Sequence, residues 1–90
     1  MVSAKVKVIN KNGIHIRRAN DIQKTANMFR SVITIKMDSM EINAKSILGI
    51  AGLGAECGTE LEIKAVGEDE ADALASLVQL FENNFYGSKT

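Results

Sequence analysis

Asn10-Lys11-Asn12-Gly13-Ile14-His15-Ile16-Arg17-Arg18-Ala19 carries the only histidine of a 90-residue chain, two residues past an Asn-Gly pair. Two folds compete for this stretch. Asn-Gly is a favoured two-residue hairpin turn and its flanks, Val6 to Ile9 and Ile14 to Ile16, alternate, so His15 can be read as an ordinary strand residue. Beyond the histidine, however, Ile16, Ala19, Ile22, Ala26 and Phe29 recur at spacings of three, three, four and three. That is the apolar stripe of a helix. The longer pattern favours a helix that starts at His15.

A helix start is an anion site in its own right. Its first backbone N–H groups have no intrahelical partners, and the peptide dipoles leave partial positive charge there. Arg17 and Arg18 add two permanent cations. Neutral imidazole, with an ordinary pKa of about 6.5, is a nucleophile near neutrality, and a phosphoryl group it accepts can be held by amides and guanidinium groups. A metal site is not expected, because one His and one Cys leave zinc too few soft ligands. Cys57, beside Gly58, reads as a small loop residue, and a single cysteine excludes an intrachain disulfide.

Around this centre the chain reads as one α+β domain over residues 1–90, without linker, repeat or low-complexity segment. Val6 and Val8 alternate with Lys5 and Lys7 as a first strand. Ile33, Ile35 and Met37 form a second, and Asp38-Ser39 turns into a third, Met40 to Ala44, giving a hairpin. Ser46 suits the N-cap of a short second helix ending at Gly54. Leu61, Ile63 and Ala65 make a fourth strand, closed by Gly67. Glu68, Asp69, Glu70 and Asp72 suit the first turn of a last helix whose buried stripe is Ala71, Leu74, Leu77, Val78, Phe81 and Phe85. The order β-α-β-β-α-β-α, with one-sided strands and one-sided helices, predicts a four-stranded sheet covered on one face by three helices.

Apolar residues make up 46% of the chain, enough to close such a core, and net charge is zero. The charge is split: residues 1–45 carry nine basic and three acidic side chains, residues 46–90 two and eight. Neutrality argues against bulk nucleic-acid affinity, while a basic first half is compatible with acidic protein partners. No apolar run approaches a membrane span and the first residues lack a secretory pattern, so a cytoplasmic chain without membrane insertion is expected.

Two segments together resemble the HPr family, the histidine-containing phosphocarriers of the bacterial phosphoenolpyruvate-dependent sugar phosphotransferase system. Asn12-Gly13-Ile14-His15-Ile16-Arg17-Arg18-Ala19 is similar to the family's active-site stretch, and Asn43-Ala44-Lys45-Ser46-Ile47-Leu48-Gly49-Ile50 to its second signature. The likeness continues through Leu53-Gly54, Gly58 and Glu68-Asp69-Glu70-Ala71. It implies an open-faced, antiparallel β-sandwich and a monomeric carrier, not an enzyme, that works without a cofactor. By the same resemblance His15 would accept phosphate from enzyme I and pass it to enzyme IIA domains. Arg17 would neutralise the phosphoryl group and Asn12 would orient the imidazole or bond a phosphate oxygen; Arg18, by its charge alone and not by the resemblance, would be a weak secondary cation.

Ser46 matches the serine that an HPr kinase/phosphorylase modifies in part of the family; as a bare N-cap it would need no modification. Ile47, Leu48 and Ala51, rimmed by Arg17 and Lys24, read as an exposed docking patch. Equally, Ile47, Ile50 and Leu53 can be core. The family usually has Pro where this chain has Arg18, and Ser, Thr or Ala where it has Asn20; Arg18 is expected to point to solvent, since Arg17 already fills the phosphate role. Two other functions remain open at this point. One is a regulatory HPr paralogue that delivers phosphate to a regulator. The other is a KH-like RNA-binding module, because Gly49-Ile50-Ala51-Gly52 fits its GXXG loop.

Overall fold

One-sided alternation decides the sheet. In the computed structural model, which describes residues 1–83 and 85, strands β1 (Val2–Lys7), β2 (Val32–Met37), β3 (Met40–Asn43) and β4 (Glu60–Val66) form a single sheet in the order β1-β4-β2-β3, every pairing antiparallel. Val6, Ile33, Ile35, Leu61, Ile63 and Ala65 point to the dry face and are buried. Helices α1 (Ile16–Ala26), α2 (Ile47–Gly52) and α3 (Glu70–Glu82) complete the predicted element order, and α3 packs on β1 and β4.

The opposite face interleaves its charges. Lys5 and Lys36 both stand across from Glu62, Lys7 across from Glu60, and Lys36 also across from Glu41, while Lys64 Nζ lies 3.6 Å from Glu41 Oε2. Opposite charges facing each other across strands support the register, at roughly 0.2–1 kcal/mol per pair.

Several expectations need correction. The strand-turn-strand reading of the opening stretch fails: Gly13 turns at φ 71°, but the chain then enters α1 instead of a second strand. The first strand lies earlier than expected, and Val8 is buried just past its end, held by Thr59 O at 2.9 Å. Within the α1 stripe only Ala19, Ile22 and Ala26 are buried; Phe29 falls in the turn beyond the helix, and Ile16 is 60% exposed. In α3 the buried phase is Ala73, Leu77, Leu80 and Phe81, so Ala71 faces outward. Gly49-Ile50-Ala51-Gly52 lies within α2 with Ile50 in the core, which removes the KH loop.

Asp69 does something other than favour its own helix dipole. It occupies the N-cap of α3 without capping it; its carboxylate instead accepts the backbone N–H groups of Arg30 at 2.8 Å and Ser31 at 3.0 Å, together with the Ser31 hydroxyl. Gly67 allows the approach, since a Cβ there would meet Ser31 Cα at 2.8 Å. The Ser31 hydroxyl first, and then the Arg30 amide, hold the Asp69 carboxyl below the usual aspartate value. A carboxyl lowered in the folded state adds stability that is complete above the unfolded value near 3.8 and fades as pH falls below it. Asp69→Asn is therefore expected to lower Tm by several degrees at neutral pH. It should also flatten the loss of stability below pH 4, checked by thermal melts across acid pH.

Candidate functional site

The turn before α1 is built from its backbone. Gly13 N–H donates to Asn10 O at 3.1 Å, the Asn10 side-chain amide donates back to Gly13 O, and Ile14 N–H donates to Ala55 O at 2.9 Å. Gly13 sits so close to the segment after α2 that a Cβ would lie 2.6 Å from Ala55 O. The turn thus rests on that segment. It delivers His15, extended at φ −85° and ψ 179°, as the N-cap residue of α1, with Ala19 N–H bonded to His15 O at 2.9 Å.

The His15 side chain caps nothing and is exposed. No acidic residue occupies the first turn of α1, so no side-chain carboxylate there offsets the partial positive charge beside the imidazole. His15 borders two depressions. One, of about 360 Å³, is lined by Asn10, Lys11, Asn12, Gly13, Arg17 and Arg18, a cationic and amide-rich wall. The other, of about 630 Å³, runs past Ile16 and Ala51 to Glu56 and Cys57. A nucleophilic imidazole with cationic space roomy enough for a phosphoryl group on one side and a mixed polar and apolar depression on the other can take a phosphoryl group and meet a protein partner.

The two arginines separate. Arg17 is exposed beside His15 and makes no ion pair or hydrogen bond among the described residues. Arg18, expected in solvent, is half-buried: its Nη1 lies 3.2 Å from Asp21 Oδ2 and its guanidinium sits 5.4 Å from the Phe85 ring centre. Phe85 in turn packs edge-on against Phe81 at 5.3 Å. The aromatic face and the acid three residues on draw the cation inward.

Asn12 lines the cationic depression and is exposed. Ser46 is the N-cap of α2, its Oγ accepting Gly49 N–H at 3.1 Å. Of the expected patch, Leu48 is 82% exposed, whereas Ile47 and Ala51 are half-buried and Ile50 and Leu53 belong to the core. Ile16 replaces what Ile47 lacks: in the first turn of α1 it stands exposed beside His15. Lys24 lies in the last turn of α1, about 13 Å along the axis from His15, so it rims the patch from the far end only.

Sequence reasoning missed Asn10 and Ile16. Asn10 precedes an Asn-Gly turn, and a turn-initiating amide is a signal that could have found it. Ile16 carried no such signal, since its spacing matched the buried stripe.

Known proteins share this fold and much of this sequence. A family profile described as "PTS HPr component phosphorylation site" matches residues 2–83. The chain is 42% identical over 85 residues to the phosphocarrier protein HPr of Treponema pallidum (strain Nichols), covering 94% of this chain and 97% of that one. It is also 42% identical over 77 residues to the HPr-like protein Crh of Bacillus subtilis (strain 168), covering 86% and 91% respectively. The solved structure of HPr-C-His from Thermoanaerobacter tengcongensis superposes with a TM-score of 0.91 at 39% identity, over 94% of this chain and 96% of that one.

Proposed function

The chain belongs to the HPr family of phosphocarriers, and from that membership we propose that it accepts a phosphoryl group on His15 from phosphorylated enzyme I and passes it to enzyme IIA domains. The observation that carries this reading is the exposed imidazole at the uncapped start of α1, with Arg17 beside it, which has no ion pair or hydrogen bond among the described residues. An imidazole nitrogen forms an N–P bond as the bond between phosphorus and the donor breaks. The α1 amides, Arg17 and Asn12 then hold the phosphoryl oxygens. One copy supplies this whole set, which supports a monomeric working unit; a cytoplasmic carrier that turns over nothing by itself completes the proposal.

Incubation with enzyme I and phosphoenolpyruvate tests the reading. One acid-labile phosphoryl group per chain, lost on addition of a IIA domain, is the expected result. No uptake at high enzyme I concentration would sink it. The likeness to Crh favours a second reading, in which the same site serves a regulator in place of a sugar transporter. Uptake from enzyme I without delivery to any IIA domain would select that reading.

Ser46 is proposed as a regulatory phosphosite for an HPr kinase/phosphorylase. Its Oγ already meets an α2 amide, so a phosphate there suits the helix start but sets nearly two negative charges beside Leu48 and the docking surface. Ser46→Asp is expected to slow transfer from enzyme I about tenfold at low enzyme I, through docking, with the fold intact. An unchanged rate across enzyme I concentrations would reduce Ser46 to a helix cap.

A further inference from the structure

We propose that Asn10 is a positioning residue for phosphoryl transfer, fixing the imidazole of His15 through the turn that delivers it; the inference rests on the phosphocarrier reading above. Asn10 is only 7% exposed although it lies in a surface turn. Both its backbone and its side chain act on one residue. Its carbonyl accepts Gly13 N–H at 3.1 Å and its Nδ2 donates to the Gly13 carbonyl, so the turn is closed twice.

What the closure controls lies two residues on. Gly13 holds φ 71° with no room for a Cβ against Ala55 O, and Ile14 N–H bonds that same oxygen at 2.9 Å. The peptide before Gly13 is held by the Asn10 carbonyl, and the peptide after it by both the Asn10 side-chain amide and the Ala55 carbonyl. His15 follows directly in extended conformation, and its own side chain has no hydrogen bond to orient it from within the helix. The direction of the imidazole is therefore set by the turn, and the Asn10 amide is the side-chain part of that setting.

A second observation separates this amide from ordinary structural polarity. Asn10 Oδ1 is buried and has no hydrogen-bond partner among the described residues, while Asn10 lines the cationic depression with His15 and Arg17. A buried acceptor without a donor costs stability, so an amide placed only to stabilise the turn would satisfy both of its ends. Here the donor end is used on the turn, while the acceptor end is left buried and unpaired in a residue that lines the depression together with Lys11, His15, Arg17 and Arg18.

Asn10→Ala and Asn10→Asp test the proposal. The second is isosteric but, ionised, cannot donate and sets a carboxylate oxygen against the Gly13 carbonyl. In both, the maximal transfer rate from phosphorylated enzyme I is expected to fall about tenfold with KM moved less than twofold, and the ring proton and carbon NMR chemical shifts of His15 are expected to move. A wild-type maximal rate in Asn10→Ala with only Tm lowered, or a loss confined to KM, would overturn the proposal. If Asn10→Asp does not fold, Asn10→Ala decides alone. Should the wild-type chain take no phosphate at all, the phosphocarrier reading fails separately. The His15 ring chemical shifts in Asn10→Ala then decide, unchanged shifts overturning the positioning role.

Discussion

His15→Asn will take up no phosphate from enzyme I and phosphoenolpyruvate, yet it will melt at a higher temperature than the wild-type chain. The loss follows from chemistry, since His15 is the only imidazole in the sequence and no other side chain can replace it at the α1 start. The gain follows from geometry. His15 occupies an N-cap with suitable extended dihedrals but provides no side-chain hydrogen bond, leaving the first amides of α1 uncapped. Asn is among the best N-cap residues, and filling such a position contributes about 0.5–1 kcal/mol. For a domain of this size that is a rise in Tm of several degrees. His15→Ala, which can neither accept phosphate nor cap, is expected to lose transfer with little change in Tm. The pair separates nucleophile from cap: uptake by either variant would remove His15 from the centre of the reaction. A fall in Tm for His15→Asn would show instead that the imidazole stabilises the helix start.

The helix start at His15 was itself legible in the chain. Local patterns were legible wherever one face is dry and the period is short. The alternation at Ile33 and Ile35 or at Leu61 and Ile63, the Ser46 cap and the Asp38 turn, which adopts φ 55°, depend on neighbours a few residues away. What was not legible depends on distant chain. Strand β4 enters between β1 and β2, so the sheet order follows from pairing across most of the sequence. Asp69 finds its acceptor role 38 and 39 residues away, where its position alone suggested only a favourable helix dipole. Ile16 matched the period of the buried stripe, but in the first turn of α1 it lies open beside the depression past Ala51. Within the candidate site, His15 and Arg17 stood out by their chemistry and Asn12 only through the family resemblance. Asn10 did not stand out, because its burial comes from a turn seated on residues beyond α2.

Arg17→Ala is expected to reduce the maximal transfer rate by about 10²–10³, while Arg18→Pro stays within a few-fold of wild type. Removing one preorganised donor to a group that carries developing charge costs on this order, and Arg17 is the exposed arginine beside His15 with no competing partner among the described residues. Arg18 is engaged elsewhere: Asp21 holds its Nη1 at 3.2 Å and the Phe85 face holds its guanidinium at 5.4 Å. Moving it to a phosphate would break both contacts. Its position is the third of α1, where the backbone N–H has no intrahelical partner, so proline is tolerated by the backbone. The substitution therefore removes the side-chain contacts and little else. Cation–π contact and a partly exposed ion pair together contribute on the order of 1 kcal/mol. Arg18→Pro is accordingly expected to melt a few degrees lower unless the rigid ring restores that loss through the unfolded chain. Salt separates the two arginines further, because a phosphate clamp open to solvent weakens with ionic strength and stacking on an aromatic ring does so less. Phosphotransfer at moderate salt, run beside thermal melts, decides between them. If Arg18→Pro lost more transfer than Arg17→Ala, the phosphate clamp of this chain would lie one residue later, and the Phe85 contact would describe only the unphosphorylated protein.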